Sequence, residues 1–351
     1  MSRLTCALGP DAAGTLLHRF LESATARLDV AVYEAGPSYG WMFPRAVERG
    51  VRVRLLLDGH GGANQGCLEE LRAARERGVV VPCRVRRHDG LREAHWKLLV
   101  ADADRLAVGT GNLIERDAPA DRHGRLPPEA PPLAGTREWW AFVDGAPTLA
   151  AAARSRITSA WREATEPPPV WAVEHRAEAP PVGAPQPSVA PLEVEVSPRR
   201  LQLATDARAV LTAIEALLEG STRRCLVTVP YMHTWAHEVR PLLERLAELR
   251  HGGADVRVLL GSVPAGGDVA TLRDRGVPAR VMDPQRCTTG HAKGMVVDRS
   301  VLVMSSNWSA GGLGTSFEAG LRIDQAAATA YFADAFERDW AVAEPAWNGP
   351  G

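Results

Sequence analysis

Two stretches of the chain carry the same reactive side chains at almost the same spacing. In both, a histidine and a lysine are two residues apart, and an aspartate follows the lysine by five residues. An asparagine follows the aspartate by ten residues in the first stretch and by nine in the second. The first stretch contains His95, Lys97, Asp102, Thr110 and Asn112, and the second contains His291, Lys293, Asp298, Ser305 and Asn307.

These side chains match what the cleavage of a phosphodiester requires when no metal ion or cofactor takes part. Histidine is a neutral nucleophile near neutral pH, and a second, protonated histidine can donate a proton to the leaving oxygen. Lysine and asparagine side chains can stabilise the oxygens that gain charge in the transition state. Residues i and i+2 of a strand face the same side, so His95 and Lys97 are predicted to point into one cleft, as are His291 and Lys293.

A single His-x-Lys pattern is short enough to occur by chance at a protein surface. Two complete copies in matching positions favour one catalytic site built from both. The alternative is a cleft that binds a phosphate compound without turnover.

The elements around the two stretches also repeat. Strands that alternate with helices of ten to fifteen residues predict a mixed α/β fold. Local similarity supports a duplication, for example GVRVRLLLDG at 50–59 against ADVRVLLGS at 254–262. Periodicity predicts helices over 11–27, 38–50, 68–77, 206–219, 237–250, 268–275 and 326–340, and strands over 28–33, 51–57, 79–85, 225–229, 256–261 and 278–282.

A proline- and alanine-rich segment, residues 166–198, separates the two repeats. Such a composition predicts a semi-rigid, extended connector. We therefore predict an N-terminal half at 1–165, this linker, and a C-terminal half at 199–351. The halves are expected to be pseudo-symmetric, each a mixed β-sheet flanked by helices.

Composition restricts the functional classes only weakly. Lys+Arg (41) and Asp+Glu (42) cancel to a net charge of −1, so no overall field attracts nucleic acid or an anionic membrane. The five cysteines are scattered, which fits neither a disulfide framework nor a zinc site. No signal peptide or transmembrane segment is recognisable, and the protein is expected to be cytoplasmic, without an obligate protein partner.

The repeated pattern H-x-K-x4-D-x6-G-[S/T]-x-N resembles the phospholipase D superfamily, also called the HKD family. The first copy fits in full, including Gly109. The second has one residue fewer after Asp298, for which a shorter hairpin turn at Arg299-Ser300 would account, and Met304 where glycine is usual. Family members also carry a glutamate after each asparagine, and Glu138 and Glu318 match it.

The resemblance implies a mechanism and a role for each residue. His95 would attack phosphorus to give a phosphohistidine, and His291 would act first as acid and then as base. Asp102 and Asp298, part of the predicted catalytic set, would brace the fold near the motif. The side chains that would hold the non-bridging oxygens are Lys97, Lys293, Asn112 and Asn307, and those that would hydrogen-bond the imidazoles are Glu138 and Glu318.

The substrate is left open by the sequence. Phospholipids or other small phosphodiesters are preferred, with a nuclease on DNA or RNA and a phosphatidyl transferase as alternatives. Thr110 and Ser305 are predicted to contact substrate. Trp41 and Trp235 each follow the first predicted strand of their half and are predicted to line the cleft, where they would stack on bases or meet a membrane surface; core packing is the alternative for both.

Overall fold

Strands and helices alternate through both halves of the chain in the computed structural model, which describes residues 1–86, 92–120, 123, 135–168, 189–261, 267–282 and 289–345. The strands are β1 (Ser2–Gly9), β2 (Arg27–Val32), β3 (Arg52–Asp58), β4 (Cys83–Arg86), β5 (Lys97–Ala101), β6 (Arg105–Gly109), β7 (Thr136–Asp144), β8 (Leu192–Val196), β9 (Leu201–Ala204), β10 (Arg224–Val229), β11 (Asp255–Leu260), β12 (Ala279–Val281), β13 (Thr289–Gly290), β14 (Gly294–Val297), β15 (Ser300–Met304), β16 (Gly320–Ile323) and β17 (Glu344–Pro345). The helices are α1 (Ala13–Glu22), α2 (Pro37–Gly40), α3 (Met42–Glu48), α4 (Asn64–Glu76), α5 (Pro147–Glu163), α6 (Ala207–Glu219), α7 (Arg240–His251), α8 (Asp268–Asp274) and α9 (Ala326–Val342).

The strands form two sheets of the same design. The first has the order β4-β3-β2-β5-β6-β7-β1-β8, and the second β17-β12-β11-β10-β14-β15-β16-β9. In each, three strands are parallel (β2, β3 and β4; β10, β11 and β12), and the strands beyond β2 and β10 are antiparallel. Two mixed sheets flanked by helices confirm the predicted fold class, and their matching order confirms the duplication.

The two halves share a central apolar layer. Side chains from both sheets and from α5 and α9 meet there, among them Leu98, Val296, Ile157 and Phe332. Trp139 of β7 packs against Phe332 of α9 with 4.8 Å between ring centroids. Strand β13 of the second half also pairs with β7 of the first. A rigid interface of this kind fixes the position of one motif relative to the other.

Three elements differ from the sequence-based expectation. Strand β1 was not predicted, yet it lies inside the first sheet between β7 and β8. The end of the predicted linker is β8, whose alternating LEVEV sequence suits an edge strand; residues 169–188 of that linker lie outside the described residues. The helix predicted over 38–50 is divided at Trp41 into α2 and α3.

The unusual Met304 is explained by a cross-strand pair of one large residue and one glycine, whose order is reversed between the two halves. Gly109 lies opposite Trp140 in the first sheet, and a Cβ on Gly109 would lie 2.2 Å from the Trp140 ring. In the second sheet, the equivalent pair is Met304 opposite Gly320. The large side chain has moved to the other strand, so both sheets fill a similar volume.

Candidate active site

The two His-x-Lys motifs lie at matching places, just before a central strand of each sheet. Lys97 is the first residue of β5, and Lys293 immediately precedes β14, so each histidine lies in the extended segment that enters the strand. Both lysines are fully buried, and His95 is nearly so. The Lys293 ammonium donates a hydrogen bond to the Thr110 carbonyl, at 3.3 Å, across the interface between the halves. The two motifs therefore contribute to one site.

Each histidine pairs with a glutamate from the opposite half. His95 Nδ1 lies 3.2 Å from Glu318 Oε1, and His291 Nδ1 lies 2.5 Å from Glu138 Oε1. Both glutamates are buried. A carboxylate at Nδ1 fixes the ring orientation and places the proton there. Nε2 of His95 is then available for chemistry, whereas Nε2 of His291 lies 2.7 Å from the Lys293 ammonium. The glutamates therefore occupy the positions that the resemblance implies.

A hydroxyl group holds each glutamate in place, which differs from the substrate-binding role predicted for these hydroxyls. Thr110 Oγ1 donates to Glu138 and accepts from the Trp139 backbone N–H at 2.9 Å. Ser305 Oγ donates to Glu318 and accepts from the Ala319 backbone N–H, also at 2.9 Å. Both hydroxyls are buried and occupied within the protein. These hydrogen bonds position the two carboxyl groups.

The motif aspartates lie at the far ends of the motif strands, away from the histidines. Asp102 follows the last residue of β5, roughly 16 Å along the chain from Lys97 at about 3.3 Å per residue. Its carboxylate accepts hydrogen bonds from the backbone N–H groups of Thr25, Ala26 and Arg27. Asp298 accepts from the equivalent groups at 222–224. Their inclusion in the predicted catalytic set is therefore corrected: they brace the fold, as the resemblance implies.

The turn lengths agree with the predicted deletion in the second motif. The first hairpin connects β5 to β6 through residues 102–104, and the second connects β14 to β15 through 298–299. Asp102 and Asp298 have φ of 51° and 47°, left-handed values that aspartate tolerates better than most residues. The missing residue shortens the outer turn and leaves the motif end of the strands unchanged.

The two motif asparagines are buried at the site. Asn112 Oδ1 and Asn307 Oδ1 have no hydrogen-bond partner among the described residues. Asn307 Nδ2 donates to the Tyr231 hydroxyl at 3.0 Å. Buried amides normally have partners, so these two oxygens are suited to accept hydrogen bonds from donor groups of a ligand in the cleft.

Burial determines the electrostatics of the site. It lowers the pKa of both lysines, to about 7 for Lys293, because the ammonium loses its hydration. It also raises the pKa of both glutamates, to about 8 for Glu318, although the lysines oppose this shift. Burial and the neighbouring lysines lower the pKa of His95 and of His291. The neutral form of both imidazoles is therefore favoured in the empty site. His95 needs that form as a nucleophile, whereas His291 has to gain its proton when an anionic substrate binds next to it.

Sequence reasoning missed one acidic residue, Asp117. It is fully buried, and a carboxylate oxygen of Asp117, one of Glu138 and a ring nitrogen of His291 all lie within 4.8 Å of one another. Two carboxylates and an imidazole could in principle hold a cation. Here the Lys293 ammonium lies 2.7 Å from His291 Nε2, and it supplies positive charge in contact with that ring. The arrangement fits this amine better than an added metal ion.

Of the two tryptophans predicted at the cleft, only one belongs to a group that reaches the site. Trp235 is 65% exposed and stacks on His233 at 5.2 Å. His233 in turn packs against Tyr231, the partner of Asn307. Trp41 instead contacts His18 and Arg45 in the outer helical layer. In the first half Tyr33 takes the inner position, with its ring 5.4 Å from that of His95.

Comparisons with known proteins agree with this architecture. A family model described as cardiolipin synthase, phospholipase D-like domain, matches residues 214–340, which include the second motif. The crystal structure of phosphatidylserine synthase from Haemophilus influenzae Rd KW20 is 13% identical, covers 97% of this chain and 87% of its own, and has a TM-score of 0.66. Polyphosphate kinase from Porphyromonas gingivalis is 11% identical, covers 96% of this chain and 50% of its own, and has a TM-score of 0.58. A search of curated protein sequences gave no match.

At these identities the solved structures show a shared fold. The two whole-chain matches span both halves, which is consistent with two sheets that pack as one body. None of the helices in the described part of the chain combines the length and the apolar composition of a membrane span.

Proposed function

We propose that the chain is a member of the phospholipase D superfamily and a phosphodiesterase that acts through a phosphohistidine intermediate. A phospholipase D-like family model over residues 214–340 supports the membership. The observation that carries the proposal is the crossed pairing of two histidines with two glutamates at the interface of the halves. Two imidazoles, each oriented by a buried carboxylate and flanked by a buried lysine, supply a nucleophile and a proton donor in one cleft.

In the first step, His95 Nε2 attacks phosphorus, and the bond from phosphorus to the leaving oxygen breaks. His291 donates a proton to that oxygen, so an alcohol leaves and His291 becomes neutral. Lys97 and Lys293 stabilise the negative charge on the non-bridging oxygens. Glu318 stabilises the positive charge that develops on the His95 imidazole.

In the second step, neutral His291 removes a proton from water, and the resulting hydroxide attacks phosphorus. The bond between His95 Nε2 and phosphorus breaks, which releases the phosphomonoester and returns both histidines to their starting states. An alcohol in place of water would give transfer instead of hydrolysis by the same step.

We propose a phospholipid or a related small phosphodiester as the substrate. The matched family model, named for cardiolipin synthase, favours a lipid substrate. Trp235 is exposed and stacks on His233, which packs against Tyr231 at the site. Trp235 would make peripheral contact with a lipid surface. The net charge of −1 gives no particular support to a nuclease, which is the second candidate on the same chemistry.

Turnover of bis(p-nitrophenyl) phosphate with EDTA present tests the proposal. We expect the wild type to release p-nitrophenol and His95→Ala to lose at least about 1,000-fold in kcat, because the nucleophile is gone. His251→Ala, at an exposed histidine of α7, is the matched control and should retain wild-type activity.

Phospholipid vesicles and single-stranded DNA follow as substrates. Lipid cleavage should depend on surface dilution, whereas DNA binding should weaken steeply with added salt. A wild type that cleaves none of the three substrates would refute the phosphodiesterase proposal. Full activity in His95→Ala would refute the assignment of the nucleophile.

A further inference from the structure

Asp117 is held in a tightly packed loop that follows the first motif. Its carboxylate accepts a hydrogen bond from the Asn112 backbone N–H at 2.7 Å. The Tyr39 hydroxyl donates to the Ala118 carbonyl at 2.6 Å. A Cβ on Gly9 would lie only 2.6 Å from the Asp117 carbonyl, so β1 approaches this loop too closely for a side chain. The loop is therefore fixed from two sides, and Asp117 has a defined place beside His291.

The second motif has no carboxylate at the matching sequence position. Asp117 is five residues beyond Asn112, and the residue five beyond Asn307 is Gly312. Gly312 lies in a π-helical turn at Gly311–Thr315. A Cβ at Gly312 would lie 2.3 Å from the Asn307 carbonyl, so the backbone excludes a side chain there. Asp117 thus breaks the symmetry of an otherwise duplicated site.

The asymmetry gives the two histidines different surroundings. His291 has two fully buried carboxylates close to its ring, those of Glu138 and Asp117. His95 has one buried carboxylate, Glu318, at 3.2 Å.

Other charged groups face the two rings. Glu93, which is half-buried, raises the pKa of His95, and Asp117 raises that of His291. Lys293 lowers the pKa of both histidines, as does Lys97. Arg116 lies beside Asp117 at 3.4 Å and is partly exposed. A fully buried carboxylate acts more strongly on its neighbour than a half-buried one, because water screens it less.

We infer that Asp117 is a positioning residue that keeps the proton on His291, and so makes His291 the proton donor and leaves His95 as the nucleophile. This rests on the proposed function. The proton moves from His291 to the leaving oxygen as the His95–phosphorus bond forms and the phosphorus–oxygen bond breaks. Without the second carboxylate, the two histidines would be close to equivalent, and the donor form of His291 would be less populated.

A comparison of two leaving groups tests the inference, because a good leaving group needs little help from a proton donor. The substrates are bis(p-nitrophenyl) phosphate and diphenyl phosphate, whose phenol has a pKa near 10, like that of tyrosine. For Asp117→Asn we expect kcat/KM to fall by about 10- to 100-fold on diphenyl phosphate and by less than about 3-fold on the nitrophenyl ester.

The control is Glu93→Gln, which removes the half-buried carboxylate near His95 and should leave the ratio of the two rates unchanged. An equal loss on both substrates in Asp117→Asn, or the same change of ratio in Glu93→Gln, would overturn the inference. If Asp117→Asn does not fold, the two rates are measured on Asp117→Ser instead. Its hydroxyl is also a hydrogen-bond acceptor for the Asn112 amide.

The failure of the proposed function is separately recognisable. In that case the wild type would turn over neither ester, whereas failure of the present inference requires an active wild type and a ratio that does not change. The ratio also distinguishes positioning from a structural role, since a general loss of folded enzyme lowers both rates equally.

Discussion

At the residue scale, the site depends on support that each half gives to the other. Neither imidazole is oriented by a carboxylate of its own repeat, since His95 uses Glu318 and His291 uses Glu138. The hydroxyl groups of Ser305 and Thr110 extend each pair by one hydrogen bond. An intact motif in one half is therefore insufficient for an oriented histidine.

Replacement of Glu318 with glutamine should impair the nucleophile in the other half of the chain. The amide keeps the size of the carboxyl group but cannot ionise to stabilise the His95 imidazolium as it forms, so we expect kcat/KM to fall by about 10- to 100-fold. The loss should be equal for p-nitrophenyl and phenyl esters, because His291 and Asp117 remain. Steady-state kinetics on both esters measure this, with Glu48→Gln, exposed on α3, as the control. A loss confined to the phenyl ester would contradict the assignment of His95.

At the element scale, the parts predicted from sequence are those whose signal is local. The central strands, most helices and the shortened second turn follow from periodicity and spacing. Strand β1 was missed because its sequence, SRLTCALG, lacks regular alternation and gains its place only by pairing with β7 and β8.

The site was predicted in the same way. The motif residues are local in sequence, and their types indicate the chemistry. The crossed pairing and Asp117 depend on how two distant segments approach, which spacing alone does not encode. The hydrogen bonds of Thr110 and Ser305 were missed for this reason, since the glutamates that they contact lie 28 and 13 residues away along the chain.

Asp102, at the turn between β5 and β6, allows a prediction that concerns the stability of the protein and not its activity. Backbone N–H bonds and Arg105 hold the pKa of the Asp102 carboxyl at about 2, against the opposing effect of burial. A depressed pKa contributes stability above the unfolded-state value near 4, and this contribution is lost as the pH falls through 2. Asp102→Asn should therefore lower the free energy of unfolding by about 1–2 kcal/mol at pH 7, allowing for the partial exposure of the group.

Chemical denaturation between pH 7 and pH 2.5 measures this effect. The difference between the wild type and Asp102→Asn should shrink at the acid end, while kcat/KM of the folded variant stays near the wild-type value. Asp104→Asn, in the same turn, is the matched control and should change neither quantity. A large loss of kcat/KM in fully folded Asp102→Asn would return this aspartate to the catalytic set.

At the scale of the whole molecule, a buried charge cluster joins the two halves next to the site. Arg137 of β7 pairs with Asp11 of the first half at 2.9 Å and with Asp339 of α9 at 3.1 Å. The Arg137 carbonyl also accepts a hydrogen bond from the His291 backbone N–H at 3.1 Å. Arg137 thus connects helix α9, the first sheet and the second motif.

Replacement of Arg137 should lower the free energy of unfolding of the whole protein. Arg137→Met keeps an apolar stem but leaves two buried carboxylates without their cation, which we expect to cost about 3–5 kcal/mol at pH 7. Burial already raises the pKa of Asp11 and Asp339, and Arg137 opposes that rise. A raised carboxyl pKa favours the folded state at low pH and loses that contribution as the pH rises, so the deficit of the variant should be smaller near pH 5 than at pH 7.

Urea unfolding at the two pH values tests this, with Arg322→Met as the comparison. Arg322 pairs with Asp324 in a partly exposed site, where the loss of an ion pair costs at most about 1 kcal/mol. Equal costs for the two variants, or a deficit for Arg137→Met that does not change with pH, would show that the cluster does not hold the halves together. In the predicted outcome, Arg137 stabilises the interface between the halves. It also helps to position His291, because Arg137 and its neighbour Glu138 on β7 both hydrogen-bond that residue.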